Sequence, residues 1–404
     1  MTWHSGAQSS IVRNVKSIFA SGVDILVAER LALLRGKRVG LLVHPASLNG
    51  RGEWTPDLLW ELPDVDVVAL FGPEHGVFGQ AGPGERVGSV PHPRWGIPMY
   101  SLYGENRQPS ADMLRDIDVL LIDLQDLAVR CYTFVSTIQL VLQACAREHV
   151  QVIVTDRPVP FPNVMDGPML EEGFVSFVAS VPVPMVYGMT PGETAEFICR
   201  EESLDVDLHV VPMRGYAREA RRQSDWTPWV PPSTGMRSWE SAWCYPATVF
   251  TEALPGLDCD RAGLLPFQVL GASWMNGAEV CAAVPRAALE GMRIVPHDYY
   301  PMQQKEPELL QGLRLLPIDP DSFRPVTFGV TLLATLRELY GDDGLWAMEG
   351  ARPSFFDALC GTDEPRKALA EPFDPRELQG SWDQAAAEFH TKRAAVLLYD
   401  RGVM

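Results

Sequence analysis

Four short apolar runs punctuate the first half of the chain. Residues 38–43 end at His44-Pro45, and 65–71 end at Gly72-Pro-Glu-His-Gly76. Residues 118–123 end at Leu124-Gln-Asp126, and 150–155 end at Asp156-Arg-Pro158. Nearly unbroken apolar runs of this length suit strands buried on both faces of a parallel sheet. A further apolar segment, 181–186, ends at Tyr187-Gly188. Helical patterns lie between the runs. Ser110 caps a short helix to 117, and residues 132–149 carry apolar side chains on a wide stripe, the pattern of a long, largely buried helix. Thr190-Pro-Gly-Glu193 is a capping box with proline at the first helical position, opening a helix to about 202. Alternating strands and helices predict an α/β fold with a Rossmann-like, doubly wound parallel sheet.

The pattern changes over 217–260. Trp226, Trp229, Trp239 and Trp243 fall among Pro231-Pro232, Gly235 and Pro246. This reads as an ordered crossing segment, with the tryptophans packed at a junction rather than offered as a sugar-stacking platform. Beyond it we expect a second, smaller α/β domain, with a strand over 312–317 and helices over 330–340 and 382–398. The predicted division is 1–240 for the domain carrying the Gly-Pro-Glu-His-Gly loop and 241–404 for the domain closing the cleft.

Composition narrows the function. Of 404 residues, 34 are Lys or Arg and 52 Asp or Glu, a net charge of −18, which excludes a general nucleic-acid binder or a protein held on anionic lipid. Apolar residues at 46% and charged residues at 21% describe an ordinary globular chain, and no run suggests a membrane span. Seven cysteines include no C-x-x-C pair, so Cys145 and Cys199 read as small buried hydrophobes. No basic and apolar leader pattern opens the sequence at Met1. The expected setting is cytoplasmic.

Ligands of open parallel sheets bind beyond the carboxyl ends of the strands. Those ends carry His44, Glu74, His75, Asp123, Gln125, Asp126, Asp156 and Arg157. Gly72-Pro-Glu-His-Gly76 is the sharpest feature, because Pro73 fixes the backbone while two glycines permit unusual dihedrals that present Glu74. A carboxylic acid in a partly dry cleft suits general-acid work on a leaving group. Asp126 is placed to orient Arg130, whose fork fits a substrate carboxylate. A metal site using Glu74, His75, Asp123 and Asp126 is a weaker alternative. Gly82-Pro-Gly84 fails as a dinucleotide loop, since its spacing is not G-x-G-x-x-G and Pro83 interrupts it. Neither a P-loop nor a G-x-S-x-G elbow occurs.

In order and spacing, these pieces resemble the exo-β-N-acetylmuramidase family of the NamZ type, from about 22 to 399. The resemblance is carried by Gly22-Val-Asp-Ile-Leu26, Phe71-Gly-Pro-Glu-His-Gly76, Ser101-Leu-Tyr-Gly-Glu105 and the stretch from Asp123 to Thr133. Asp156-Arg-Pro158, Tyr187-Gly-Met-Thr-Pro-Gly-Glu193, Trp229-Val-Pro-Pro-Ser233, Tyr245-Pro246 and Pro266-Phe267 continue it. It implies a two-domain glycoside hydrolase releasing terminal N-acetylmuramic acid from peptidoglycan fragments, with Glu74 as the catalytic carboxylate. The alternative is a catalytically altered sugar-binding or accessory protein of the same fold. His75, Glu85, Asp123, Asp126, Arg130, Tyr132, Asp156, Arg157, Glu252 and Arg261 are the expected substrate-binding residues. A small anionic or neutral amino sugar is the expected partner, with no metal and no cofactor. Four segments depart from the family: His44-Pro-Ala-Ser47 replaces an Asn-Pro-Thr-Gly turn, Val159 an Asn, the 252–263 stretch is rebuilt around a retained Glu252 and Arg261, and Leu310-Gln-Gly312 replaces a Cys-Gly-Gly or Cys-x-Gly segment. Glu85, Asp126 and Glu252 are the candidates for a second carboxylate; the alternative is that an N-acetylated substrate supplies its own nucleophile. Arg130, Arg157 and Arg261 are expected to form a positive pocket inside an acidic shell.

Overall fold

The structure is a computed structural model describing residues 19–82, 84–85, 88–218, 229–302, 308–342, 345–371 and 373–399. The segment read for a leader, Trp226 and Pro83 lie outside these residues. Among the described residues, twelve strands run in chain order. In the first half they are β1 Arg38–Val43, β2 Asp66–Gly72, β3 Val90–Pro91, β4 Pro98–Ser101, β5 Val119–Asp123 and β6 Gln151–Thr155. Then follow β7 Asp166–Met169, β8 Pro184–Val186, β9 Leu208–Val211, β10 Val269–Ala272, β11 Met292–Pro296 and β12 Gln311–Pro317. The main sheet has seven strands in the order β3-β4-β2-β1-β5-β6-β9, all parallel except the short edge strand β3. A smaller antiparallel sheet, β10-β12-β11, belongs to the C-terminal half. The protein is thus mixed α/β, with a mostly parallel main sheet and a second, smaller sheet.

The four apolar runs form β1, β2, β5 and β6, the buried centre of the main sheet. The 181–186 segment differs from its reading. Only Pro184–Val186 is a strand, and it pairs antiparallel with β7 outside the main sheet. Strands β4 and β9 have no long apolar run, because four-residue strands near a sheet edge bury too little to need one.

The capping box at Thr190 forms as read: Thr190 accepts from the Glu193 amide at 3.4 Å, and Glu193 accepts from the Thr190 amide at 2.9 Å. The predicted 330–340 helix starts earlier, as Pro325–Tyr340. Its cap comes from β7, where Asp166 accepts the Val326 amide at 2.6 Å, the Thr327 amide at 3.1 Å and the Thr327 hydroxyl at 2.6 Å. The last helix, Pro375–Arg393, also starts early, behind its Asp374 cap. One buried apolar cluster runs from Leu42 under the main sheet to Phe389 and Val396 of the C-terminal half, so both halves share a core.

Candidate active site

The site is built on the turn that leaves β2. A side chain at Gly72 would place its Cβ 2.5 Å from the Val77 amide nitrogen, so only glycine lets the chain fold back against the strand end. His75 then adopts φ 73° and Gly76 φ 81°. A non-glycine residue in the left-handed region is uncommon and stores strain, which the surrounding contacts must hold. His75 is buried, with Nδ1 2.9 Å from the Ala81 carbonyl oxygen. This clamp presents Glu74. Its Oε1 accepts the Gly84 amide at 3.0 Å, and its Oε2 accepts the Thr133 hydroxyl at 2.7 Å from the start of helix Phe134–Glu148. Tyr103 stands just beyond β4, close enough to feel the Glu74 charge. Burial, followed by the Glu74 charge, pushes the Tyr103 phenol up.

Glu74 faces a cavity of about 500 Å³ at the carboxyl end of the main sheet, closed by residues of the C-terminal half. Its described lining holds two carboxylates, Glu74 and Glu252, and three guanidinium groups, Arg107, Arg261 and Arg352. Glu252 ends the turn after helix Trp239–Thr248 and pairs with Arg261 at 3.1 Å. Burial lifts the Glu252 carboxyl above its ordinary range; Arg261 opposes this, Glu74 adds to it, and Arg352 opposes it. Arg352 lies over the Phe355 ring at 4.5 Å and donates to the Glu252 carbonyl. Arg107 lies over Phe177 at 4.6 Å. Cys131 also lines the cavity, but burial pushes its thiol up to about 12, so it is not poised as a nucleophile.

Of the residues expected at the site, the cavity gathers Glu74, His75, Tyr132, Glu252 and Arg261. The others are used elsewhere. Arg130 is fully buried and donates to the carbonyls of Pro168 at 2.9 Å, Val183 at 2.5 Å and Cys360, so its fork is spent on main chain. Asp126 does not orient it; its Oδ2 accepts the Tyr187 hydroxyl at 2.7 Å. Asp123 and Arg157 form a buried pair, with Nε 2.5 Å from Oδ1. Arg157 borders a separate cavity of about 250 Å³ together with Trp229 and Trp239. Asp156 accepts from the Thr190 hydroxyl at 2.8 Å, the Gly192 amide at 2.8 Å and the Tyr399 hydroxyl at 2.6 Å, bracing a helix start. Glu85 closes its own exposed turn through the Gly82 amide at 2.8 Å. An acidic residue just past a strand is the nearest acceptor for the next helix or loop, and here that local use prevails.

His44 is likewise internal. It bonds Ser47 through Nδ1 at 2.9 Å and accepts the Gln125 amide at 3.3 Å through Nε2, and burial followed by the Arg157 charge holds it neutral. Among the described residues, no group of three or more His, Cys, Asp or Glu is placed to hold a metal ion. Asp123 and Asp126 are committed to internal partners instead. The tryptophans pack as read: Trp229 donates to the Met236 carbonyl at 2.8 Å and Trp243 to the Pro160 carbonyl at 3.1 Å. Tyr103, Thr133 and Ser233 stand in segments that carry the family resemblance, so a signal for them existed. Arg107 and Arg352 had none; only the fold brings them to the cavity.

Residues 39–240 match the N-terminal part of the exo-β-N-acetylmuramidase NamZ family, and 243–399 match its C-terminal part. The chain belongs to the NamZ exo-β-N-acetylmuramidase family. It is 33% identical over 381 residues to the peptidoglycan β-N-acetylmuramidase NamZ of Bacillus subtilis (strain 168), covering 94% of this chain and 91% of that protein. Two solved structures of DUF1343 family proteins from Bacteroides fragilis NCTC 9343 share its fold. One has a TM-score of 0.88 at 30% identity, the other 0.74 at 26%; each alignment covers 95% of this chain and 99% of the other. The family's two parts meet at the cavity, since Glu74 lies in the first match and Glu252 in the second.

Proposed function

We propose that this protein is an exo-acting glycosidase that releases a terminal, non-reducing N-acetylmuramic acid, or a related N-acetylated amino sugar, from peptidoglycan fragments. The observation that carries the reading is the charge pattern of the cavity. Two carboxylates stand among three arginines, within a chain of net charge −18. Cleaving a glycosidic bond calls for paired carboxylates. The arginines suit a sugar that bears a carboxylate of its own, because charge-assisted bonds of this kind are strong and oriented. The expected positive pocket thus has Arg107 and Arg352 in place of Arg130 and Arg157. Family membership and the B. subtilis relative support the same substrate class. We also propose a cytoplasmic setting, which seven free thiols suit.

The test is sugar release from a chromogenic N-acetylmuramide. The wild-type protein should turn it over, and Glu74→Gln should lower the rate by about 10³-fold, the scale of removing a group that stabilises transition-state charge. Equal rates for the two would remove Glu74 from the mechanism. Tight binding of the same fragments without turnover between pH 5 and 8 would instead mark a sugar-binding accessory protein.

A further inference from the structure

The two carboxylates of the cavity have different surroundings, and the difference divides the chemistry between them. Glu74 is filled with donors. The Gly84 amide, which can only donate, reaches Oε1 at 3.0 Å, and the Thr133 hydroxyl reaches Oε2 at 2.7 Å. Both oxygens of Glu74 are thus held by hydrogen bonds from the scaffold. Glu252 is the reverse. Its carboxylate pairs with Arg261 at 3.1 Å through Oε1, no hydrogen bond from main chain or a neutral side chain holds it among the described residues, and the residue lines the cavity. Its side chain is 19% exposed, so it sits at a partly dry wall that still admits a ligand.

We propose that Glu252 is the general acid of this site and that Glu74 is the carboxylate facing the sugar's C1. The assignment rests on the glycosidase reading above and exchanges the role expected for Glu74 from sequence. In the first half of the reaction the bond between C1 and the leaving oxygen breaks. Its electron pair stays on that oxygen, which takes the proton of Glu252, while the positive charge developing at C1 lies against Glu74. In the second half a water molecule supplies its hydroxyl to C1 and its proton to Glu252. One water is consumed per bond, and both carboxyls return to their starting state. Burial lifts the Glu252 carboxyl above its ordinary range, the direction that a general acid needs.

The experiment compares N-acetylmuramides whose leaving groups differ. One is a dinitrophenyl glycoside, which departs without protonation; the other is a disaccharide with an alkoxide leaving group, which needs an acid. Wild type, Glu252→Gln and Glu74→Gln are measured on both, with thermal melting to establish that each variant folds. Glutamine at 252 keeps an oxygen for Arg261, and Glu252→Asp is a second variant that retains an ionisable group. Expected for Glu252→Gln is a loss of about 10³-fold in kcat/KM on the disaccharide but less than tenfold in kcat/KM on the dinitrophenyl glycoside, because kcat/KM reports the bond-breaking half and not the later attack of water. Glu252→Asp should recover part of the disaccharide rate, and Glu74→Gln should lose about 10³-fold on both substrates. The opposite pattern, or an unchanged Glu252→Gln, overturns the assignment while leaving the glycosidase reading intact. No turnover of either glycoside by the wild-type protein overturns that reading, and this assignment with it.

Discussion

Arg107 is the side chain whose placement bears most directly on substrate choice. It lines the cavity and stacks on Phe177 at 4.6 Å, and no carboxylate pairs with it among the described residues. A bond from such a group to a sugar carboxylate is worth roughly 1.5–3 kcal/mol. Arg107→Ala should therefore raise KM about ten- to a hundredfold for an N-acetylmuramide. It should leave KM unchanged for the N-acetylglucosaminide, which lacks the lactyl carboxylate; equal effects on both would separate Arg107 from carboxylate recognition. Asp126 makes a different kind of statement. Its Oδ1 is buried without a hydrogen-bond partner, and burial lifts its carboxyl from 3.8 to about 6. Between about pH 4 and 6 the folded state thus holds a proton that the unfolded state has lost, so the stability contributed by this group falls as pH rises through that window. Asp126→Asn removes the dependence. Relative to wild type, the variant should gain up to about 3 kcal/mol between pH 4 and pH 7 in denaturant titrations.

At the scale of elements, the charged groups that the strand ends supplied hold the scaffold around the cavity. Arg130 joins the carbonyl preceding Met169 in β7, the 181–183 turn before β8 and the end of helix Pro353–Cys360. Burial lowers its guanidinium to about 10, so it still carries its charge at neutral pH. Arg130→Met would strand three carbonyl oxygens, each costing roughly 1–3 kcal/mol when buried and unpaired. A large drop in melting temperature is expected, with KM for the sugar unchanged in the protein that remains folded; a raised KM with an unchanged melting temperature would return Arg130 to the binding site. Helix Pro325–Tyr340 depends on Asp166 in a similar way. Asp166→Ala removes the acceptor of two amides at its first turn and should cost roughly 1–2 kcal/mol in denaturant titrations, the usual worth of a cap.

Across the whole molecule the decisive fact is that the cavity and the core both cross from one half of the chain to the other. Leu42, Phe134, Phe250, Phe328 and Phe389 belong to one buried apolar cluster. Heating should therefore give a single cooperative transition by calorimetry, with equal calorimetric and van't Hoff enthalpies. Two resolved transitions would show that the halves are independent. The site obeys the same geometry, since Glu74 and Tyr103 come from the main-sheet side and Glu252, Arg261 and Arg352 from the other.

The sequence by itself determined the central strands, the capping box at Thr190 and the turn that presents Glu74. Each is set by local chemistry: apolar runs that must be buried, a hydroxyl three residues from a glutamate, and glycines where no Cβ fits. The tertiary structure decided the rest. Polar residues at strand ends are equally apt to meet a ligand or a neighbouring element, and only packing distinguished Glu74, which opens on the cavity, from Asp123, Asp126 and Asp156, which do not. The partners that made the difference are distant in sequence. Arg157 neutralises Asp123 from 34 residues away, Asp166 caps a helix from 160 away, and Arg130 reaches a carbonyl 230 away. The local pattern of residues carries no record of such separations, and so the charge count was legible from the start while the arginines that use it, Arg107 and Arg352, were not.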